Sequence, residues 1–257
     1  MRAPTSRETR WLIVAALVVL WELLPRLGLI PTLFLPPLSM TAVALWTAGP
    51  EYLSHLGVTL REVGVALVFA CGGGIACGIA LGSSARFRKL LLPVVSSAYA
   101  IPLVVLYPLF TAWFGIGEPS KVVFAAVYGF LPTLLGAAAG VQTIDRGLIV
   151  TAKSMGATRV QQIVHVLLPA TMPTVLSSLR IGGALVVVGV VVAEMLMSTA
   201  GIGFLISRYR TMLDSPKVFA AILLVLALAI VFDLLVQTAE RRFLKKGRGD
   251  AAAQPQG

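Results

Sequence analysis

Val150 to Arg180, VTAKSMGATRVQQIVHVLLPATMPTVLSSLR, is the stretch whose reading decides the fold. It lies between hydrophobic runs, carries Lys153, Arg159 and Arg180, and combines helical periodicity with turn signals, which marks a folded loop between membrane spans. Just upstream, Asp145 is placed to cap a short helix whose apolar members are Leu148, Ile149, Ala152 and Met155, and Gly156-Ala157 ends it. Thr158 and Gln161 have the spacing of a capping box, so a second helix is expected to start there. Its Val160, Ile163, Val164 and Leu167 fall at i, i+3, i+4 and i+7, with Arg159, Gln161, Gln162 and His165 elsewhere on the wheel. Pro169 and Pro173 are expected to stop that helix and redirect the chain to the next span.

Around this loop the chain is far too apolar for a soluble domain. Of its 257 residues 58% are hydrophobic and 12% charged, and the mean hydropathy is +0.91. At about 20 residues per span there is room for about six helices. The net charge of +10 would suit nucleic acid, but its distribution argues for membrane orientation instead. Arg2, Arg7 and Arg10 precede the first span, and Arg86, Arg88 and Lys89 follow the second. Arg146, Lys153 and Arg159 follow the fourth, and Arg241, Arg242, Lys245, Lys246 and Arg248 follow the sixth. With six spans all of these lie on one side, which makes both termini and the loop at 145–172 cytoplasmic. Arg26, Arg61, Lys121, Arg208, Arg210 and Lys217 remain for the other side.

The body is thus expected over 11–243, after a cytoplasmic N-terminus at 1–10 and before a disordered basic tail at 244–257. Trp11 to Leu24 opens the first span, and a short surface helix is expected from Ser39 to Ala48. The second span, about Leu60 to Leu81, has Gly74, Gly78 and Gly82 at four-residue intervals, a seam for close helix packing. It also holds Cys71 and Cys77, about 9 Å apart along a helix and so unable to pair. Leu90 to Trp113 carries no charge, yet contains Pro93, Pro102 and Pro108 with Ser96, Ser97 and Tyr99. Irregular backbone is tolerated in a membrane where it is buried or lines a cavity, so Ser96, Ser97, Tyr99 and Pro102 are pathway candidates beside a purely packing role. Val122 to Gln142 carries a Gly136-xxx-Gly140 seam, and Ile181 to Ser198 holds Glu194, an ionisable group at depth. Glu194 is either a pathway residue or a carboxylate satisfied by helix-end amides or Arg61. Val218 to Ala239 is the last span, with Asp233 expected to pair with Arg241 or Arg242.

No G-x-x-x-x-G-K-[ST] occurs, so there is no P-loop for ATP, and His55 and His165 are isolated, which leaves no metal site or catalytic centre. Energy for any work the chain does must then come from elsewhere. An ion-gradient-driven secondary transporter is the alternative, and it would ordinarily need more ionisable groups inside its spans than Glu194 and Asp233.

Thr151-Ala152, Gly156-Ala157, Leu168-Pro169, Pro173 and Leu179-Arg180 resemble, in order and spacing, the EAA loop of ABC-importer permeases. Pro102, Pro108-Leu109, Trp113 to Glu118, Ala193-Glu194-Met195 and Gly201-Ile202-Gly203 are similar to the nitrate/sulfonate/taurine branch of that family. The likeness runs from about Thr59 to Phe243, and Val150 stands where the family usually has Glu. It implies an all-α membrane protein of six transmembrane helices with a type I importer fold. The loop residues Thr151, Ala152, Met155, Gly156, Ala157, Val160, Leu168 and Pro169 would then couple to an ATPase subunit that binds ATP and Mg. It further implies two permease chains, two ATPase subunits and an external solute-binding protein in the bacterial inner membrane. The substrate implied is a small organic or inorganic anion such as a sulfonate or nitrate.

Overall fold

The computed structural model describes residues 6–252, with side chains described for residues 8–242 other than Arg146; Arg2, Arg7, Lys245, Lys246 and Arg248 of the charge pattern lie outside the described side chains. Every regular element among the described residues is helical. In chain order they are α1 (Ser6–Arg26), α2 (Leu38–Thr47), α3 (Gly49–Leu67), α4 (Gly74–Ser83), α5 (Ala85–Tyr99), α6 (Tyr107–Phe114) and α7 (Glu118–Gln142). Then follow α8 (Arg146–Ser154), α9 (Arg159–Gln162), α10 (Leu168–Leu196), α11 (Ile202–Thr211) and α12 (Ser215–Ala252). Helix α12 thus runs into the segment 244–257 that the charge pattern sets apart as a tail. Two π-helical segments, Val68–Gly73 and Ile163–Leu167, join α3 to α4 and α9 to α10.

Four helical runs are long and apolar enough to cross a membrane: Gly49–Ser83, Glu118–Gln142, Arg159–Leu196 and Ser215–Arg242. The pair Ala85–Tyr99 and Leu103–Phe114 makes a fifth if it counts as one span. The expected sixth, α1, is 21 residues long, but Glu8, Arg10, Glu22 and Arg26 keep its uncharged stretch short.

The fifth run covers the proline-rich stretch Leu90 to Trp113. It is broken, with an 80° change of direction. Pro102 (φ −65°, ψ 90°) is extended, cannot donate a backbone bond, and steers Ile101 away from helical geometry. A single turn at Leu103–Leu106 then restarts the helix.

The prolines of the loop behave in the opposite way. Pro169 and Pro173 do not stop the helix; Arg159 to Leu196 is one run of 38 residues. The π segment just before Pro169 widens the helix where the ring would otherwise meet the carbonyl one turn back. Thr171 Oγ1 donates to Leu167 O at 2.8 Å and Ser177 Oγ to Pro173 O at 3.1 Å, so hydroxyls serve carbonyls around the proline sites. The wider turn also changes the expected apolar stripe: Leu167 is buried, while Val160 and Val164 remain exposed.

The chain divides into two compact units. One comprises the residues up to Thr59 with Glu194–Ala227, the other Leu60–Ala193 with the residues from Leu228 on. In the larger unit α4 lies against α7 through the predicted glycine seam. A Cβ on Gly78 would stand 2.5 Å from Leu134 O and 2.7 Å from Ala137 Cβ, so the two backbones can meet only because the side chain is hydrogen. The expected Gly136 and Gly140 seam receives α10 instead, at Ser178 and Thr174. Ala66, Ala70, Ala125, Val186, Val187 and Val190 form the small-residue core, and Tyr107, Phe110 and Phe124 pack the second half of the broken run. Gly78→Leu is expected to force α4 off α7 and to lower the abundance of membrane-inserted protein several-fold. Abundance equal to wild type in membrane fractions would refute the seam.

In the smaller unit, polar contacts hold the segments together. Trp21 Nε1 donates to Pro36 O at 3.0 Å, Ser39 N donates to Glu22 Oε2 at 3.0 Å, and Tyr52 OH donates to Lys217 O at 2.9 Å. Helix α2 matches the expected surface helix at Ser39 to Ala48 within a residue at each end.

Candidate coupling loop and translocation elements

The loop is built as its sequence dictates. Asp145 accepts a hydrogen bond from Gly147 N at 2.8 Å and caps α8. Ala157 N then donates to Ala152 O and Gly156 N to Lys153 O, both at 3.0 Å. This is the Schellman pattern, and it requires the left-handed conformation found at Gly156, φ +81°. Thr158 and Gln161 complete the capping box: Gln161 N donates to Thr158 Oγ1 at 3.3 Å, and Thr158 N donates to Gln161 Oε1 at 2.8 Å.

The two caps leave a short helix, a tight turn and a second helix start projecting as one unit. On its outside sit Val150 (62% exposed), Met155 (82%) and Val160 (70%), with Thr151 and Gly156 also exposed. Ala152, Ala157 and Leu168 are half-buried and Pro169 exposed. Side chains of this size left exposed on a capped turn form an apolar patch. Val150 adds to it, where the expected Glu would have offered a charge.

The pathway candidates are divided between the two units. Ser96, Ser97, Tyr99 and Pro102 lie at the end of α5 and the break that follows, all exposed, in the larger unit. No residue of α5 is buried within this chain. Glu194 belongs to the smaller unit and is 1% exposed. Its carboxylate accepts from Thr59 Oγ1 and from Gly203 N, both at 2.8 Å, and so caps the start of α11. Ile202 N donates to Thr59 Oγ1, and Gly201 N to His55 Nδ1, both at 2.9 Å. Helix-end amides therefore satisfy Glu194, as one of the two expectations had it, whereas Arg61 faces Glu118 at 3.3 Å. Gly201, at φ +105°, has no room for a Cβ beside that carboxylate.

Several expected surface charges are spent within the chain. Lys121, expected outside, is 3% exposed and forms an ion pair with Glu62 on α3. Charges this deep persist only when paired, and Glu62 was passed over in the sequence although it lies inside an apolar run. Arg208 reaches Glu51 at 2.8 Å and Lys217 reaches Asp214 at 3.0 Å. Burial, then a hydrogen bond to Glu51, pushes the Tyr209 phenol up to about 12, so it stays a neutral donor. Asp233 pairs with Arg180 and not with Arg241 or Arg242, because Arg180 lies along the facing α10; Nη2 to Oδ2 is 3.0 Å.

Residues 72–245 match the family described as binding-protein-dependent transport system inner membrane component. The chain is 34% identical to the taurine transport system permease protein TauC of Escherichia coli (strain K12), covering 94% of this chain and 91% of that protein. It is 30% identical to a putative aliphatic sulfonates transport permease protein, SsuC, of Bacillus subtilis (strain 168), covering 95% and 91%. Among solved structures, the inward-facing MetNI methionine ABC transporter matches with a TM-score of 0.69 at 19% identity, over 77% of this chain and 98% of that one. A bacterial alginate ABC transporter matches with a TM-score of 0.62 at 18% identity, over 90% and 94%. Membrane-crossing helices, the capped apolar loop and these likenesses agree. The chain belongs to the binding-protein-dependent inner membrane components, the multi-pass permeases of ABC importers, which work with a solute-binding protein and leave ATP hydrolysis to a separate subunit.

Proposed function

We propose that this permease forms half of the path for a small organic anion of the sulfonate class, works as two identical copies, and is driven through its capped loop by an ATPase that binds ATP and Mg. The observation that carries the coupling is the exposed apolar turn of Val150, Met155 and Val160 around a left-handed Gly156. An ATPase groove that takes this turn gains buried apolar area and a rigid handle. Arg159 to Leu196 being one helical run, about 57 Å long at 1.5 Å per residue, gives that handle a lever into the membrane. The substrate class rests on the taurine and sulfonate relatives and not on basic side chains, since Lys121, Arg208 and Lys217 are already paired and only Arg210 of that outer group has no salt bridge among the described residues.

The second copy rests on α5. Its hydroxyls at Ser96, Ser97 and Tyr99 are exposed in an otherwise apolar run, a placement that favours water or protein over lipid. The decisive experiment is uptake in proteoliposomes holding the permease, its ATPase and its binding protein. ATP-dependent uptake of an alkanesulfonate by a complex with two permease copies supports the proposal. Gradient-driven uptake by the permease alone would support the secondary-transporter alternative.

We further propose six spans, with α1 as the first, and both termini in the cytoplasm. In a background without Cys71 and Cys77, single cysteines at Ser83 and Ser154 are expected to resist impermeant thiol reagents in intact cells, while one at Met212 reacts. All three positions are exposed, so shielding reports the side of the membrane and not burial. External labelling at Ser154 would overturn this topology.

A further inference from the structure

Behind the docking turn, in the larger unit, lies a cavity of about 730 Å³. Its wall includes Ser83 at the end of α4, Arg88 on α5, Gln142 at the end of α7, Lys153 on α8, and Arg159 and Gln162 on α9. Three cations line it, and no Asp or Glu does. Among the described residues none of the three enters a salt bridge. Of the residues assigned above to the ATPase, Met155 and Val160 do not line it, while Ala157 does.

Position along the membrane narrows the occupant. The runs Gly49–Ser83 and Glu118–Gln142 each have one end at this cavity. Ends of apolar spans lie at the membrane–water boundary, where lipid headgroups sit. Arg88 is half-buried and donates from Nη1 to Gly82 O at 3.2 Å, which anchors the guanidinium while leaving its other donors available. Helix α5 starts beside it at Ala85, and its N-cap Ser84 makes no side-chain bond to the first-turn amides. Guanidinium and ammonium groups around a polar hollow suit phosphate oxygens, and a volume of this size holds a headgroup.

We propose that the cavity walled by Arg88, Lys153 and Arg159 binds the phosphate group of an anionic phospholipid. Basic hollows between membrane helices bind such headgroups by the same electrostatics. The bound phosphate bridges the start of α5 to α8 and α9, and so ties the coupling loop to the bundle. This goes beyond the transport reading and does not depend on the substrate.

The test uses the full-length chain, purified and stripped of lipid, with bound lipid counted by mass measurement. The probes are short-chain phosphatidylglycerol, phosphatidylcholine of the same chain length, and inorganic phosphate. Phosphatidylglycerol is expected to be retained over phosphatidylcholine. The triple variant R88Q/K153Q/R159Q is expected to retain it about a hundredfold more weakly. R86Q/K89Q removes two neighbouring charges of α5 that do not line the cavity, and is expected to stay within a few-fold of wild type. Should the triple variant fail to fold, K153Q at an exposed position carries the test, with about fivefold weaker retention. Equal losses in R86Q/K89Q and the cavity variants would reduce the effect to diffuse surface charge and overturn the site. Saturable binding of inorganic phosphate with no preference between the lipids would overturn the lipid assignment. A cavity that takes neither probe but cross-links from position 159 to the ATPase would belong to that partner and would overturn the proposal too.

Discussion

Gly156→Val is expected to leave the permease in the membrane at near-normal abundance while abolishing ATP-driven uptake. The geometry separates two contributions. At φ +81° a β-branched residue is strained by roughly 1 to 3 kcal/mol, which opens the Schellman turn that sets the angle between α8 and α9. Apart from its two chain neighbours, no residue comes within 4 Å of where a Cβ would stand, so the added methyls point into open space, where a docked partner would meet them. Insertion depends on the spans and not on this turn. The readout is transport per permease molecule, together with co-purification of the ATPase. Gly156→Ala, which carries strain but little bulk, is expected to retain part of the activity. Unchanged specific transport by Gly156→Val would refute the coupling role, and a parallel fall of abundance and activity would reduce Gly156 to a helix terminator.

Glu194→Ala carries the second large effect, and it falls on folding. The substitution removes an acceptor from Thr59 Oγ1 and Gly203 N inside the smaller unit, where Glu194 and Thr59 are almost fully buried. The Thr59 hydroxyl can still turn to His55 O at 3.3 Å, so the Gly203 N–H is the donor left without an acceptor, at a cost of about 1 to 3 kcal/mol. Glutamine does not restore the arrangement, since its single carbonyl oxygen replaces two acceptors and its amide brings hydrogens against Gly203 N or Thr59. Thermal unfolding of the detergent-solubilised chain should therefore shift strongly downward for Glu194→Ala and less for Glu194→Gln. The opposite pattern, normal unfolding temperature with altered affinity or selectivity for the substrate, would return Glu194 to the pathway.

Short-range features proved legible in the sequence because a few neighbouring residues decide them. The cap at Asp145, the capping box of Thr158 and Gln161, and the glycine stop at Gly156 each involve backbone groups within six residues. The apolar runs were legible for a similar reason: in a membrane each helix satisfies its own backbone, so composition alone marks it. The glycines of α4 announced a close partner without naming it.

Choices between partners needed the tertiary structure. Whether a proline breaks a helix or is absorbed depends on surroundings: Pro102 follows a helix that ends at Tyr99 and precedes an 80° bend, while Pro169 follows a π turn that makes room for its ring. Asp233 had basic residues within reach in sequence at Arg241 and Arg242, yet took Arg180, which is 53 positions away and lies on the facing helix. Lys121 counted as an outer cation until Glu62 was found beside it. Burial makes such pairings compulsory, because a charge removed from water must find an opposite charge or a set of dipoles, and packing alone determines which is near. The sequence by itself thus determined a helical membrane permease with a capped, folded loop between spans. Tertiary structure decided which charges are spent inside the fold, that Glu194 closes α11, and that α9 continues into the membrane as a single helical run.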